Sequence, residues 1–299
     1  MREIVSMVMQ FLANAFEPLV FIFTVSNLFN MGLQAKVDGV LEGLKNKKAV
    51  ALIIVWSWVL GPALAYLIIW VLPLAEPYVI GLLLSSLAPV TPFLPLAVEK
   101  ARGDINFAAA LVPLVMVGTV IFMPLMAPIM IKGVTVSAWS IAEPLLLTVL
   151  LPLAVGATLL HYAGAIAVRI LPAVNVIAKL TTVGVGVLGF VIYARSMLET
   201  AGSFALLSAL IFMVVIALVT YRIGFGLKQN QRSVMSLGML TRNGGPVLIA
   251  ALAIPNVDNH ILTYVILLNL GGFVLSPIAA GIFGKQQGET VGVEKGGIV

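Results

Sequence analysis

Long apolar runs alternate with short polar connections along the whole chain. Each run approaches or exceeds the roughly 20 residues that a helix needs to cross a membrane. The runs lack the two-residue alternation that is typical of outer-membrane β-strands. Charged residues, glycine and proline mark their boundaries. The pattern therefore predicts nine membrane-spanning helices, at residues 4–31, 48–73, 77–98, 105–131, 141–161, 172–194, 203–227, 232–254 and 260–284.

The composition favours a polytopic, all-α membrane protein. The chain is 61% hydrophobic and only 10% charged, whereas a soluble domain is roughly 25% charged. The connections are too short to hold a soluble domain, so residues 1–284 are expected to form a single transmembrane domain. Residues 285–299 are polar and rich in glycine, and we predict that they form a disordered cytoplasmic tail.

The residue types exclude several kinds of chemistry. The chain has no cysteine, which excludes disulfides and thiolate metal sites. Its two histidines belong to no metal-ligand pattern, so no metal site and no cofactor are expected. No predicted span pairs a nucleophile with a base, which argues against an enzyme.

The basic residues indicate how the chain is oriented. Three of the 17 Lys and Arg residues fall on the side of the N-terminus, twelve on the opposite side and two within predicted spans. Cytoplasmic loops of membrane proteins carry the excess of Lys and Arg. The N-terminus is therefore predicted to lie outside and the C-terminus in the cytoplasm, in the inner (cytoplasmic) membrane of a prokaryote. The net charge of +5 is then an orientation signal and not a nucleic-acid surface.

Two of the predicted spans are interrupted near their middle. The third contains Pro89, Pro92 and Pro95, and each proline removes a backbone donor and clashes with the preceding helical turn. The eighth contains the segment "TRNGGP", residues 241–246. Non-helical backbone at membrane depth persists only where protein or a water-filled cavity satisfies its polar groups. Both interruptions are therefore expected to lie at an interior site.

The positions of the two interruptions correspond. Spans one to four and spans six to nine form two sets, and each interruption lies in the third span of its set. The two sets are offset by five spans, which is an odd number, so equivalent helices cross the membrane in opposite directions. Inverted repeats of this kind are typical of secondary transporters. The sequence predicts a first repeat at about 4–131, a linking helix at about 141–161 and a second repeat at about 172–284. The two broken helices are expected to meet near the membrane midplane.

The second interruption has the residues of an anion site. An arginine at the bilayer centre costs at least about 2.5–3.5 kcal/mol, so Arg242 is expected to face an interior cavity. A half-helix starting at Pro246 would direct free N–H groups and the positive end of its dipole to the same place. The candidate substrate-binding residues are Asn27, Thr91, Pro92, Arg242, Asn243, Gly244 and Gly245.

Three further polar positions leave alternatives open. Glu17 is a proton-carrier candidate if it lies at membrane depth, or an interface residue if the first span begins near it. Lys179 is a candidate for ion coupling, or it extends to the cytoplasmic interface. Asn27 shares a helix face with Asn30, and hydrogen bonding between helices explains the pair nearly as well as substrate contact does.

The order of several motifs resembles the bile acid:sodium symporter family. The first span closes with "NMGL" (Asn30–Leu33), Gly61-Pro62 follows in the second span, and the first broken helix ends with "ARGD" (Ala101–Asp104). The segments "LLLTVLLPLAVGATLLHY" and "LGMLTRNGG" complete the series. The resemblance is to a divergent prokaryotic branch. It implies two inverted repeats that form a panel domain and a core domain, with the broken helices crossing in the core.

The chain departs from the family at the sodium ligands. Sodium-carrying members have Gly-Gly-Thr-Ala-Ser-Asn where this chain has residues 90–95, "VTPFLP". They also have a glutamate in the second break. Its position falls on Ser236 if the family motif is aligned on Gly238-Met239, and on Gly238 if it is aligned on Asn243. Ser236 is therefore a candidate for ion coupling. With the acidic ligand missing, Arg242 is expected to stand in the place of a sodium ion as a fixed positive charge.

These observations predict a secondary active transporter of a small organic anion, working by alternating access and coupled to sodium or to protons. The expected partners are the anion and membrane lipid. One alternative is an exporter of an oxyanion, as in arsenite carriers, but these rely on a membrane cysteine and the chain has none. A channel or a non-transporting membrane receptor is the other alternative.

Overall fold

The computed structural model describes residues 2–35, 45–131, 137–200 and 202–296. In these ranges the chain is helical apart from short connections and one two-residue bridge. The helices are α1 (Arg2–Gly32), α2 (Lys47–Val71), α3 (Glu76–Ser86), α4 (Leu94–Lys100), α5 (Ile105–Met130), α6 (Ala138–Tyr162), α7 (Gly164–Glu199), α8 (Ala205–Ile223), α9 (Gln229–Leu240), α10 (Gly244–Leu252) and α11 (Asn259–Gly296). Helices α2 and α6 each contain one π turn, at Trp56–Leu60 and Leu146–Leu150.

Seven helices in the described ranges are long and apolar enough to cross a membrane. They are α1, α2, α5, α6, α7, α8 and α11, and they correspond to seven of the nine predicted spans. The third and eighth predicted spans are each divided into two short helices, α3 with α4 and α9 with α10. Large apolar side chains such as Trp70, which is 83% exposed, lie on the outer surface. The protein is therefore a multi-pass membrane protein.

The last helix extends further than the sequence suggests. A disordered tail is predicted from residue 285, but the backbone of α11 is helical as far as Gly296. Lys, Gln and Glu are good helix formers and extend a helix that has already been nucleated. Residues 297–299 lie outside the described ranges.

The helices pack in two groups. Helix α1 lies along α6 and α7. In the other group, α8 packs on α9, and α11 packs on α3, α8 and α9. The groups meet where α7 contacts α11, α1 contacts α10 and α6 contacts α5. The two interrupted spans belong to the second group and face the first.

Candidate anion-binding site at the helix breaks

The two interruptions lie side by side. The first separates Ser86 from Leu94 and the second separates Leu240 from Gly244. Pro89 and Arg242 form an antiparallel bridge between them. The backbone N–H of Asn243 donates to the carbonyl of Ala88 at 2.9 Å.

Val90 adds two hydrogen bonds to this bridge. Its N–H donates to the carbonyls of Gly238 at 3.0 Å and of Thr241 at 3.2 Å. Val90 has a φ of 68°, which is unusual for a β-branched residue because its side chain crowds the backbone in this conformation. Such a conformation persists only where the surrounding structure imposes it. The two breaks therefore hold each other in place.

A tryptophan supports the start of the first break. The indole Nε1 of Trp58 donates to the carbonyl of Leu87 at 3.0 Å. Its ring packs directly on Gly118 of α5, where a Cβ would overlap the ring. The π turn in α2 contains Trp58. The π turn of α2 therefore carries the side chain that donates a hydrogen bond to the carbonyl of Leu87, at the start of the first break.

Arg242 lies at the centre of the second break and is 3% exposed. One guanidinium nitrogen, Nη2, donates to the carbonyl of Met239 at 2.7 Å. The guanidinium carbon lies 4.6 Å from the centre of the Phe212 ring, a cation–π contact. Nε and Nη1 are buried and have no hydrogen-bond partner among the described residues. The described residues form no ion pair with Arg242.

The N-terminus of α10 lies next to the arginine. Asn243 precedes this helix, and its side chain does not cap it; its Nδ2 donates to the sulfur of Met116 at 2.9 Å. Among the described residues, the N–H groups of Gly244 and Gly245 have no hydrogen-bond acceptor. The helix begins at Gly244 and not at Pro246, so the predicted start was two residues too late. Proline fits within the first helical turn because the N–H groups there need no helical partner.

A small cavity lies between the two groups of helices. Its volume is about 50 Å³, and its walls come from α1 and α7 on one side and from the breaks, α10 and α11 on the other. A water molecule needs roughly 10–15 Å³, so the space holds about four water-sized groups. Six of the seven predicted substrate-binding residues line it, namely Asn27, Thr91, Pro92, Arg242, Asn243 and Gly244.

The seventh, Gly245, does not line the cavity. A Cβ at this position would lie 2.8 Å from the hydroxyl of Thr24 on α1. Glycine therefore allows α10 to approach α1 closely.

Asn27 reaches the cavity from α1. Its Nδ2 donates to the carbonyls of Phe23 at 2.8 Å and Ala178 at 3.4 Å and to the hydroxyl of Thr182 at 3.2 Å. Its Oδ1 is buried and has no partner among the described residues. The amide therefore makes the predicted contact between helices, while its oxygen is left free.

The structure does not bring the three candidates for ion coupling to this cavity. The side chains of Glu17 and Lys179 are exposed. Ser236 is fully buried, and its hydroxyl donates to the carbonyl of Ala217 on α8 at 2.8 Å. None of the three lines the cavity. Lys179 points away because its neighbour Ala178 occupies the side of α7 that faces α1.

Several residues of the site were missed from the sequence, among them Phe212 and Asn269. Phe212 lies under the guanidinium group of Arg242. Asn269 lines the cavity from α11, where its side chain lies 2.7 Å from the position of a Cβ on Gly244. An asparagine within the apolar run "VILLNLGGF" was a usable signal for Asn269. Phe212 had none, since phenylalanine is frequent in membrane helices.

The fold and the site define a class, the multi-pass membrane transporters with broken helices at an interior cavity. Residues 21–200 match the sodium bile acid symporter family, and the chain belongs to that family. Members of the family are membrane transporters. The match covers the first break and ends before the second, which carries Arg242. No curated protein matches the chain.

Proposed function

We propose that the protein is a secondary active transporter that moves a small organic anion across the cytoplasmic membrane by alternating access. One observation carries this proposal: the cavity is lined by a buried guanidinium group with two unpartnered donor atoms. The open N-terminus of α10 adjoins it. Both features favour negative charge in the same small space.

The electrostatics of Arg242 require a counter-charge. Burying a charge is costly unless it is paired and hydrogen-bonded. Among the described residues, none that lines the cavity is acidic. An anion that entered the cavity would pair with the guanidinium group and accept hydrogen bonds from Nε and Nη1. Planar carboxylates suit the fork geometry of arginine.

The position of the cavity supports alternating access. It lies where α1 and α7 face the paired breaks. In this proposal α1, α6 and α7 are the panel and the remaining helices are the core. The two inverted repeats lie at about residues 4–131 and 172–284, and α6 links them. Rocking of the core against the panel would open the cavity to one side of the membrane and then to the other.

Arg242 also changes the role expected of sodium. The positive charge that neutralises the anion belongs to the protein, so binding itself is not expected to need a bound cation. Transport against a gradient still needs a coupling ion, either sodium or protons. Affinity for the anion is therefore expected to be the same in sodium and in potassium buffers.

Counterflow in proteoliposomes tests the proposal. Vesicles loaded with unlabelled acetate or glycolate are expected to accumulate the labelled acid transiently, at rates that saturate with its concentration. The initial rates are expected to be equal in sodium and in potassium buffers. A channel would show neither saturation nor counterflow, and a receptor would pass nothing. Saturable flux of arsenite without flux of carboxylates would favour the oxyanion exporter.

The proposed orientation has a direct test because the chain contains no cysteine. Ala138 and Gln229 are exposed near the ends of helices on opposite predicted sides of the membrane. A membrane-impermeant maleimide is expected to label Ala138→Cys in intact cells and Gln229→Cys only after permeabilisation. The reverse pattern would invert the proposed topology.

A further inference from the structure

The cavity has two chemically different walls. On the core side, Arg242 and the first N–H groups of α10 offer donors without partners. On the panel side, the Oδ1 atom of Asn27 is a buried acceptor without a partner. Arg242 and Asn27 line the same space of about 50 Å³, so a single small molecule in it would lie next to both residues. Such a molecule needs an anionic group at one end and a hydrogen-bond donor at the other.

The orientation of the Asn27 amide is fixed by its neighbours. Two of the three groups around Nδ2 are backbone carbonyls, of Phe23 and Ala178, and carbonyls cannot donate. If the amide were flipped, its oxygen would face those two carbonyl oxygens. Oδ1 is therefore the atom left free, and it can only accept.

The donor on the cargo should be neutral. An ammonium group would place a second positive charge near Arg242. The described residues that line the cavity include no carboxylate to balance it. A hydroxyl group satisfies Oδ1 without adding charge.

The size of the space limits the carbon chain. Room for about four water-sized groups suits an acid of two or three carbons, far below the roughly 300–1,000 Å³ of pockets for drug-sized ligands. We infer that the cargo is a short hydroxy monocarboxylate, with its carboxylate at Arg242 and α10 and its hydroxyl on Asn27 Oδ1. This inference rests on the proposed transport of a small organic anion.

Paired acids that differ by one hydroxyl test the inference. Binding to the purified protein is measured by calorimetry for glycolate against acetate and for lactate against propionate. A neutral hydrogen bond contributes about 1 kcal/mol, so each hydroxy acid is expected to bind about five- to tenfold more tightly than its partner. Glycine is expected to bind more weakly than glycolate, because its ammonium group meets no carboxylate.

Variants then assign the preference to Asn27. Asn27→Ala is expected to weaken glycolate binding five- to tenfold more than acetate binding, so that their affinity ratio approaches one. Ser26→Ala is the matched control. Its hydroxyl lies 3.1 Å from that of Thr181 at the same α1–α7 contact, and it does not line the cavity. This control should retain the preference of the wild type.

The outcomes separate the inference from the proposed function. Equal binding of glycolate and acetate by the wild type overturns the hydroxy-acid assignment but not the proposed transport of a small organic anion. Glycine binding as tight as glycolate overturns the neutral donor. A preference that persists in Asn27→Ala removes Asn27 from the site. If the wild type binds none of these acids, the proposed function fails together with the inference. The comparison within the wild type decides the cargo class even if Asn27→Ala does not fold.

Discussion

Replacing Arg242 with glutamine is expected to abolish measurable carboxylate binding. The anion would lose the only buried cation that lines the cavity in the described residues, together with two donor atoms. Truncating one partner of a buried charge pair costs about 2–5 kcal/mol, which corresponds to a loss of affinity of roughly 30- to several thousandfold. A ligand at a hundredfold excess over its Kd stabilises a protein by roughly 2.7 kcal/mol. Carboxylates should therefore raise the melting temperature of the wild type and not that of Arg242→Gln.

The same experiment shows whether Arg242 is merely structural. Without ligand the buried charge has no ionic partner, so the free variant is expected to be at least as stable as the wild type. Arg242→Lys keeps the charge without the planar fork and should bind carboxylates with intermediate affinity. Arg222→Gln, which removes an exposed arginine from α8, is the control and should behave as wild type. If Arg242→Gln were destabilised without ligand and still responded to carboxylates, the arginine would hold the fold together and the anion site would lie elsewhere.

The breaks and Arg242 were predictable because helix-breaking residues and a charged side chain are unfavourable inside a bilayer. Three prolines in one span and Gly-Gly-Pro in another cannot continue a helix, and an arginine at bilayer depth needs an interior position. Each conflict has few physical solutions, and the structure places both breaks and Arg242 together. The apolar runs likewise gave the helices, since length and hydropathy leave little choice.

The finer parts of the site depend on which face a side chain occupies. Helix α7 is apolar almost all round, so its sequence alone does not show which side meets α1. Lys179 looked eligible for ion coupling for that reason, and Glu17 on α1 looked eligible because the start of its span was not fixed, but both side chains are exposed. The orientation of the Asn27 amide depends in part on the carbonyl of Ala178, which is 151 residues away in the chain. Such information becomes visible only once the helices are packed.

The contact between α1 and α6 explains two of the motifs that carry the family resemblance. Gly32 lies in "NMGL" and Gly156 lies in "LPLAVGATLLHY". A Cβ at Gly32 would overlap the carbonyl oxygen of Leu153, and one at Gly156 would lie 2.6 Å from the carbonyl oxygen of Phe29. The two helix backbones are therefore in direct contact, an arrangement that small residues permit in membrane proteins.

Adding a methyl group at this contact is expected to destabilise the protein. In Gly32→Ala and in Gly156→Ala the new Cβ meets backbone, which cannot rotate away, so α1 and α6 must separate. Overpacking of this kind costs typically about 1–3 kcal/mol, and thermal unfolding of the purified variants should report it. Both substitutions force apart the same pair of helices, so the double variant should lose less stability than the sum of the two. Gly164→Ala is the control, because a Cβ there has no neighbour within 4 Å. If Gly32→Ala and Gly156→Ala had the same melting temperature as Gly164→Ala, the backbones of α1 and α6 would not be in contact, and the motifs would need another explanation.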